Sequence, residues 1–432
     1  MSSIVRHAPR CSEQDAIDIA LDLFGLEVSA QLLPSERDQN FRLTTSDGQD
    51  YVLKLANATE SSDVLDFQNQ AMIHIAGKRT MFDKQIPVVP DVIATTEGEQ
   101  ITSIQDPDGV THFVRLLTYL PGKPLALVRP HDTDLLASLG RFFGNIDQAL
   151  QDFDHPATHR DFHWDLKNAG RIIKTTLQHI KVPENRNLVK GLLQRFQAEI
   201  EPQLSDLRCG IIHNDANDYN VLVEADGRWG NIVTGAIDYG DMVYTRIVNE
   251  VAVACAYAML NKADPLSVAG CIVSGYHQSF PLTGQELAVL YYLICMRLCM
   301  SVCHSADQSR YEPDNEYLRI SEKPAWDLLH KLVDIHPRLA LYTFRHACGL
   351  PPVPQTAKIA KWLKASSADC ACLVGSDLRD RHPSVLDLSV GSLLLGGDGT
   401  GAETETVTKK IFEQIQSAGA TVGIGRYDEA RL

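Results

Sequence analysis

The chain has no surplus of positive charge. It carries 40 Lys and Arg against 55 Asp and Glu over 432 residues, a formal net charge of −15. Binding a nucleic-acid backbone needs clustered Lys and Arg, so that partner is excluded and a small-molecule role is favoured. Long apolar runs are scarce: none reads as long enough to span a bilayer, and the opening MSSIVRHAPR lacks a signal-peptide core, so no membrane partner is expected. The 10 cysteines show no zinc-binding spacing. Cys295, Cys299 and Cys303 recur every four residues beside Leu293, Met296 and Met300, the pattern of one buried helix face. A reduced, cytoplasmic protein without zinc is the expectation.

What the chain does have is one dense polar stretch, residues 211–241, reading IIHNDANDYNVLVEADGRWGNIVTGAIDYGD. Apolar Ile211 and Ile212 run into His213, Asp215 and Asn220, and the apolar Val221-Leu222-Val223 follows. A turn at Asp226-Gly227 leads to a second strand, Ile232 to Ile237, which ends on Asp238 with Asp241 three residues on. A hairpin that presents Asp, Asn and Asp at one end suits phosphoryl transfer. That reaction asks for an in-line hydroxyl and for cations on the phosphate oxygens rather than for covalent catalysis. Asp215 is placed to accept the hydroxyl proton, while Asn220 and Asp238 offer hard oxygen ligands for magnesium. His213 is read as a brace of this catalytic loop rather than as its base.

HxDxxxxN followed by an IDxxD element resembles the aminoglycoside phosphotransferase and choline kinase group, relatives of the protein kinases. The resemblance implies an α+β, bilobal kinase-like fold with a small antiparallel β lobe and a larger, mainly helical lobe. The implied division is a nucleotide lobe over 1–120 and a catalytic and acceptor-binding lobe over 121–365. The implied cofactors are Mg2+ and a nucleotide, ATP or GTP, as phosphoryl donor. On this pattern Lys54, in V-L-K-L, matches the strand lysine of the α- and β-phosphates, and the backbone from Thr118 to Leu120 matches the hinge that meets the purine. The hairpin that would cover the nucleotide bends at SERDQN, beginning at Ser35, and has no glycine. The acid that pairs with the lysine in such folds falls on Gln68. Either Gln68 holds Lys54 by a neutral hydrogen bond, or Asp66 or Glu60 replaces it.

Helices are expected from a capping box at Ser12 and Asp15 to Gly25, over about 63–75, 132–150 and 187–207, and throughout the chain after Asp241. The implied acceptor site lies among the later helices. Asp218 and Asp241 would attract an ammonium group. Trp164 and Asp165 either wall the acceptor pocket or anchor a loop. Arg297 is the lone cation in YYLICMRLCM, and a buried guanidinium needs an anion. That anion is an acceptor carboxylate or, in the preferred reading, Asp241 or Glu250.

The stretches LPSERDQNFRL, VRLLTYLPGKPLA and IIHNDANDYNVLV look most like the hydroxylysine kinase branch over roughly residues 15–345. The implied substrate is a small hydroxylated amine or amino acid, whose phosphorylated product suits a pyridoxal-phosphate lyase. Alternatives are another acceptor (aminoglycoside, choline or ethanolamine, homoserine) or a nucleotide-sensing pseudokinase. From about Ser366 the chain turns Gly-, Ser- and Asp-rich, so 366–432 reads as a linker and the start of a further module. The layout resembles the N-terminal kinase of bacterial fusions with M23 peptidase-like and class III aminotransferase-like domains, which makes a fused or separate lyase a possible partner.

Overall fold

Three short runs of alternating apolar residues build the first sheet, because alternation puts every second side chain on the covered face. In the computed structural model, which describes residues 8–35, 37–78, 87–225, 230–311 and 322–352, they follow α1 (Glu13–Phe24). The Ser12 and Asp15 side chains cap that helix reciprocally, and Gly25 closes it in the left-handed conformation, φ 66°. Then come β1 (Val28–Leu33), β2 (Gln39–Thr45) and β3 (Asp50–Leu55). After α2 (Ser62–Gly77) follow β4 (Val92–Ile93), β5 (Thr102–Gln105) and β6 (Thr111–Thr118). The sheet is antiparallel in the order β1-β2-β3-β6-β4, with β5 also paired to β6. Phe41, Leu43, Leu53, Leu55, Val114 and Leu116 pack against Ala16 and Ala20 of α1 to form its core. Register sets Lys54 of β3 opposite Arg115 of β6, so both side chains leave the same face.

The next part is mainly helical. It holds β7 (Lys123–Pro124), α3 (Thr133–Ala149), α4 (Ala169–Thr176) and α5 (Pro183–Arg195). Then come β8 (Cys209–Ile212), β9 (Val221–Ala225), β10 (Asn231–Ala236) and β11 (Val243–Arg246), followed by α6 (Val248–Ala258), α7 (Pro265–Ser279) and α8 (Gly284–Gln308). α3 and α7 approach closely because glycines face the contact. A Cβ on Gly140 would stand 2.0 Å from the Ile272 carbonyl, and one on Gly275 would stand 1.9 Å from that of Ala137. Cys295, Cys299 and Cys303 line the buried side of α8, as their spacing predicts. The α+β kinase-like class is as expected.

Two sequence expectations change. The stretch after Asp241 is not helical throughout, since β11 forms first and pairs antiparallel with β8. A strand of four residues is too short to show its period. By length and composition α8 could cross a membrane after all, but 83% of its apolar window is buried, so it is the central helix of this part. Separately from those expectations, the chain divides into two compact units, one ending at Leu329 and the other beginning at His330, within α9 (Glu322–Val333) and continuing into α10 (Pro337–Ala347). The Asp226-Gly227 turn and residues 366–432 lie outside the described residues.

Candidate active site

β8 and β9 deliver the loop 213–220, and β10 delivers Asp238. His213 is fully buried, with its Nε2 donating to the Ile237 carbonyl (3.2 Å) and its Nδ1 accepting from the Asp215 N–H (3.3 Å). Its ring packs edge-on against Tyr239 and Phe143. Burial lowers its pKa to about 4, so it is a neutral brace for the strands. Asn214 sits in the left-handed region, φ 65°. It is held there by its N–H to Glu250 Oε2 (2.9 Å) and its side-chain amide to the Asp241 carbonyl (3.3 Å). Asp215, the next residue, thereby meets the side chains of Asn217, Asn220 and Arg297.

Each of the three carboxylates at this end carries its own cation. Lys54 Nζ lies 3.3 Å from Asp238 Oδ1. Arg297 Nη2 lies 3.3 Å from Asp215 Oδ1, and Arg37 Nη2 lies 2.9 Å from Asp241 Oδ1. Lys54, with Arg37 behind it, overcomes burial and lowers the Asp238 pKa to about 2, so that carboxylate stays ionised. Burial first, and then the charge of Asp241, raise Asp215, while Arg297 opposes them. An acid so raised is a better proton acceptor than an exposed one.

The donor set suits magnesium. Asn220 Nδ2 is committed to Asp215 Oδ2 at 2.7 Å, which leaves its amide oxygen to act as an acceptor, and Asp238 is held ionised. Among the described residues no cluster of three or more His, Cys, Asp or Glu could hold a metal by itself. Magnesium commonly takes one or two protein oxygens and fills its other positions with phosphate and water, which is the case these residues fit.

The remaining predicted residues divide. Gln68 does not touch Lys54: its Oε1 accepts from Arg115 Nη2 (2.8 Å), and Asn69 Oδ1 accepts from Arg115 Nη1 (2.9 Å). Asp66 takes His155 instead, and Glu60 caps the Ser61 N–H. A buried arginine one strand away has taken the helix-facing role, and two neutral amides suffice for it because a carbonyl, that of Leu65, also accepts. Arg297 pairs with neither Asp241 nor Glu250. It is held by Asp215 and by the Trp164 carbonyl (3.0 Å), with its guanidinium stacked on the Trp164 and Tyr257 rings. Trp164 therefore lies in the site. Asp165 anchors the loop, accepting from the Thr245 hydroxyl (2.8 Å) and the Lys167 N–H (2.9 Å). Asp218 faces the charges of Arg129 and Lys262 rather than joining the acidic group. Ser35 is exposed and outside this contact set. The Thr118 and Tyr119 N–H groups are spent on the Asp91 and Asp50 carbonyls (3.0 and 3.2 Å), so of that segment the Leu120 N–H is the candidate for a purine edge.

Sequence reasoning passed over Arg37, Arg115 and His304. Arg115 interrupts the apolar strand FVRLL much as Arg297 interrupts its helix, a signal of the same kind. His304, stacked on Trp164 with centroids 4.4 Å apart and brought to about pKa 4 by burial and by Arg297, had no sequence signal.

A family model described as the phosphotransferase enzyme family, APH, matches residues 29–279. The chain belongs to this family. As an APH-family phosphotransferase it moves a phosphoryl group to a hydroxyl acceptor. It is 35% identical over 348 residues to the hydroxylysine kinase of Mus musculus, covering 76% of this chain and 90% of the relative. To that of Bos taurus it is 34% identical over 348 residues, with 76% and 90% covered. Among solved structures, the fold of this phosphotransferase matches a microcompartment-associated aminopropanol kinase at TM-score 0.57 and 17% identity, covering 78% of this chain and 99% of that one. An amicoumacin kinase in complex with AMP-PNP and Ca2+ matches at TM-score 0.56 and 15% identity, covering 77% and 96%.

Proposed function

We propose that this phosphotransferase moves the γ-phosphoryl group of ATP or GTP, with magnesium, to the side-chain hydroxyl of a hydroxylated amino acid of the hydroxylysine kind. The observation that carries the reading is the 35% identity that extends over 90% of a hydroxylysine kinase. In this reading residues 1–120 hold the nucleotide and 121–365 the acceptor. Lys54 meets the α- and β-phosphates, and the Leu120 N–H meets the base. Asn220 and Asp238 would hold magnesium, which when bound neutralises phosphate charge. Asp215 aligns the acceptor hydroxyl and takes its proton as the oxygen–phosphorus bond forms, and the bond to the bridging oxygen breaks with its electron pair leaving on the diphosphate. Arg297 positions Asp215.

A second acceptor class has an observation in its favour. One Arg297 nitrogen is taken by Asp215 and another by the Trp164 carbonyl, which leaves only the buried Nε for an acceptor carboxylate, whereas an amino alcohol needs no such contact. Initial rates with hydroxylysine and with its decarboxylated analogue decide between them. The amino-acid reading predicts a kcat/KM preference for the carboxylate-bearing acceptor of about tenfold or more, and equal rates would contradict it.

A further inference from the structure

The bend between β1 and β2 lies where a nucleotide-covering loop belongs, yet Ser35 to Asn40 contains no glycine and offers an arginine instead. Arg37 reaches across to the turn after β10, and its Nη2 meets Asp241 Oδ1 at 2.9 Å. A Cβ built on Gly240 would stand 3.2 Å from Asp238 Oδ1 and 3.6 Å from Arg37 Nη2, so the guanidinium lies over the turn that joins the two carboxylates. On its other side it faces the Phe162 ring, 5.8 Å from the centroid. The base of the bend is tied down. The buried Asn57 donates its side-chain amide to the Arg37 carbonyl (3.2 Å), and its backbone N–H goes to Asp38 Oδ1 (3.0 Å). The Arg37 side chain is 29% exposed.

Lys54, Arg297 and Arg37 each stand on a different carboxylate. Lys54 stands on Asp238, and Arg297 stands on Asp215 and the Trp164 carbonyl. Arg37 lies over the turn from Asp238 to Asp241 by way of its contact with Asp241, whereas Arg160 spends its guanidinium on the Gly240 and Met242 carbonyls of the same turn. In the reading above, a phosphoryl group passing from the Lys54 and Asp238 end to Asp215 would cross beside this turn.

We propose that Arg37 is a catalytic arginine, presented by the β1–β2 bend and oriented by Asp241, that neutralises the phosphoryl group in transit. Asp241 is then a positioning residue rather than a ligand of metal or acceptor. The bonds made and broken are those given above, and Arg37 exchanges no proton. Preorganised charge that meets the transition state and little of the ground state raises kcat rather than affinity.

The inference rests on the roles proposed for Asp215, Asn220 and Asp238, and the test separates the two. With the full chain, kcat and both KM values are measured for the wild type, Arg37→Ala, Arg37→Lys and Asp215→Ala. Calorimetry with magnesium then compares the nucleoside diphosphate alone with the diphosphate plus aluminium fluoride and acceptor. For Arg37→Ala the expected loss is about a hundredfold or more in kcat, with a comparable loss of affinity for the fluoride complex. Diphosphate affinity should hold within about twofold, and Arg37→Lys should recover only part of kcat, because it has charge without the planar fork. Near-normal kcat, or equal weakening of the diphosphate and fluoride complexes, overturns the proposal. So does a loss confined to KM for acceptors that bear a carboxylate. If Arg37→Ala does not melt cooperatively, Arg37→Lys and Asp241→Asn carry the same comparison. An active Asp215→Ala would sink the parent reading, whereas an inactive one beside a normal Arg37→Ala sinks this inference alone.

Discussion

At the scale of residues, the site is a set of carboxylates kept apart in character by their neighbours. Asp238 is held ionised by Lys54, while Asp215 is pushed up by burial and Asp241 and restrained by Arg297. The two acids interact, so the acid limb of a kcat/KM profile reports an apparent value for the group rather than for Asp215 alone. Its direction of change is nevertheless fixed. Arg297 favours the ionised form of Asp215, so Arg297→Met should raise the apparent pKa and move the acid limb to higher pH, with kcat reduced at neutral pH. A profile unmoved in pH would mean that the pair is not coupled. Gln68 provides a second case. Gln68→Glu would give Arg115 an anionic partner, and since Lys54 is not in contact with it, KM for the nucleotide should stay within about threefold. A tenfold or greater rise in that KM would show that residue 68 acts on Lys54 after all.

At the scale of elements, two devices hold the catalytic loop, the α3–α7 contact and Glu250 of α6. Gly275→Ala would drive a methyl group into the Ala137 carbonyl at a site with no room for adjustment, which should cost about 3 kcal/mol of stability, read as a lower denaturation midpoint. An unchanged midpoint would mean that the helices separate freely. Glu250 is buried close to Asp147, and burial raises its pKa to about 7 from an ordinary 4.5. A carboxylate raised on folding binds its proton more tightly in the native state. Its contribution is therefore complete below pH 4.5 and is lost as the pH rises towards 7. Glu250→Gln keeps an acceptor for the Asn214 N–H but cannot ionise. Its melting temperature should fall less than that of the wild type between pH 5 and pH 8, and parallel curves would contradict this.

The same elements show what a sequence can and cannot disclose. The capping box at Ser12, the hairpin that bends at SERDQN, the buried face of α8 and the loop from His213 to Asn220 were legible because each is written in neighbouring residues. The partner of Arg297 was not, because Asp215 lies 82 positions away, and the pairing of Arg37 with Asp241 spans 204. For Gln68 the residue was found and its partner was not, since nothing local tells that Arg115 and Lys54 share a sheet face until the β3–β6 register is known. β11 escaped because its four residues alternate too briefly to stand out from the helices that follow.

At the scale of the whole molecule, the sheet brings Lys54 and Arg37 to the same cleft into which β9, β10 and α8 bring Asp238, Asp215 and Arg297. The family match takes in Lys54, Arg37, Asp215 and Asp238, running from residue 29 in β1 to residue 279 at the end of α7, while Arg297 of α8 lies beyond it. The measurement that tests the account most directly follows the phosphorylated product by phosphorus NMR, with hydroxylysine, magnesium and ATP or GTP, for the wild type and for Asp215→Ala. The account predicts a phosphomonoester signal that grows as nucleoside diphosphate accumulates, and a loss of about a thousandfold or more in that rate for the variant, which should still bind nucleotide. Diphosphate release without a phosphomonoester, or equal product from Asp215→Ala, would contradict it.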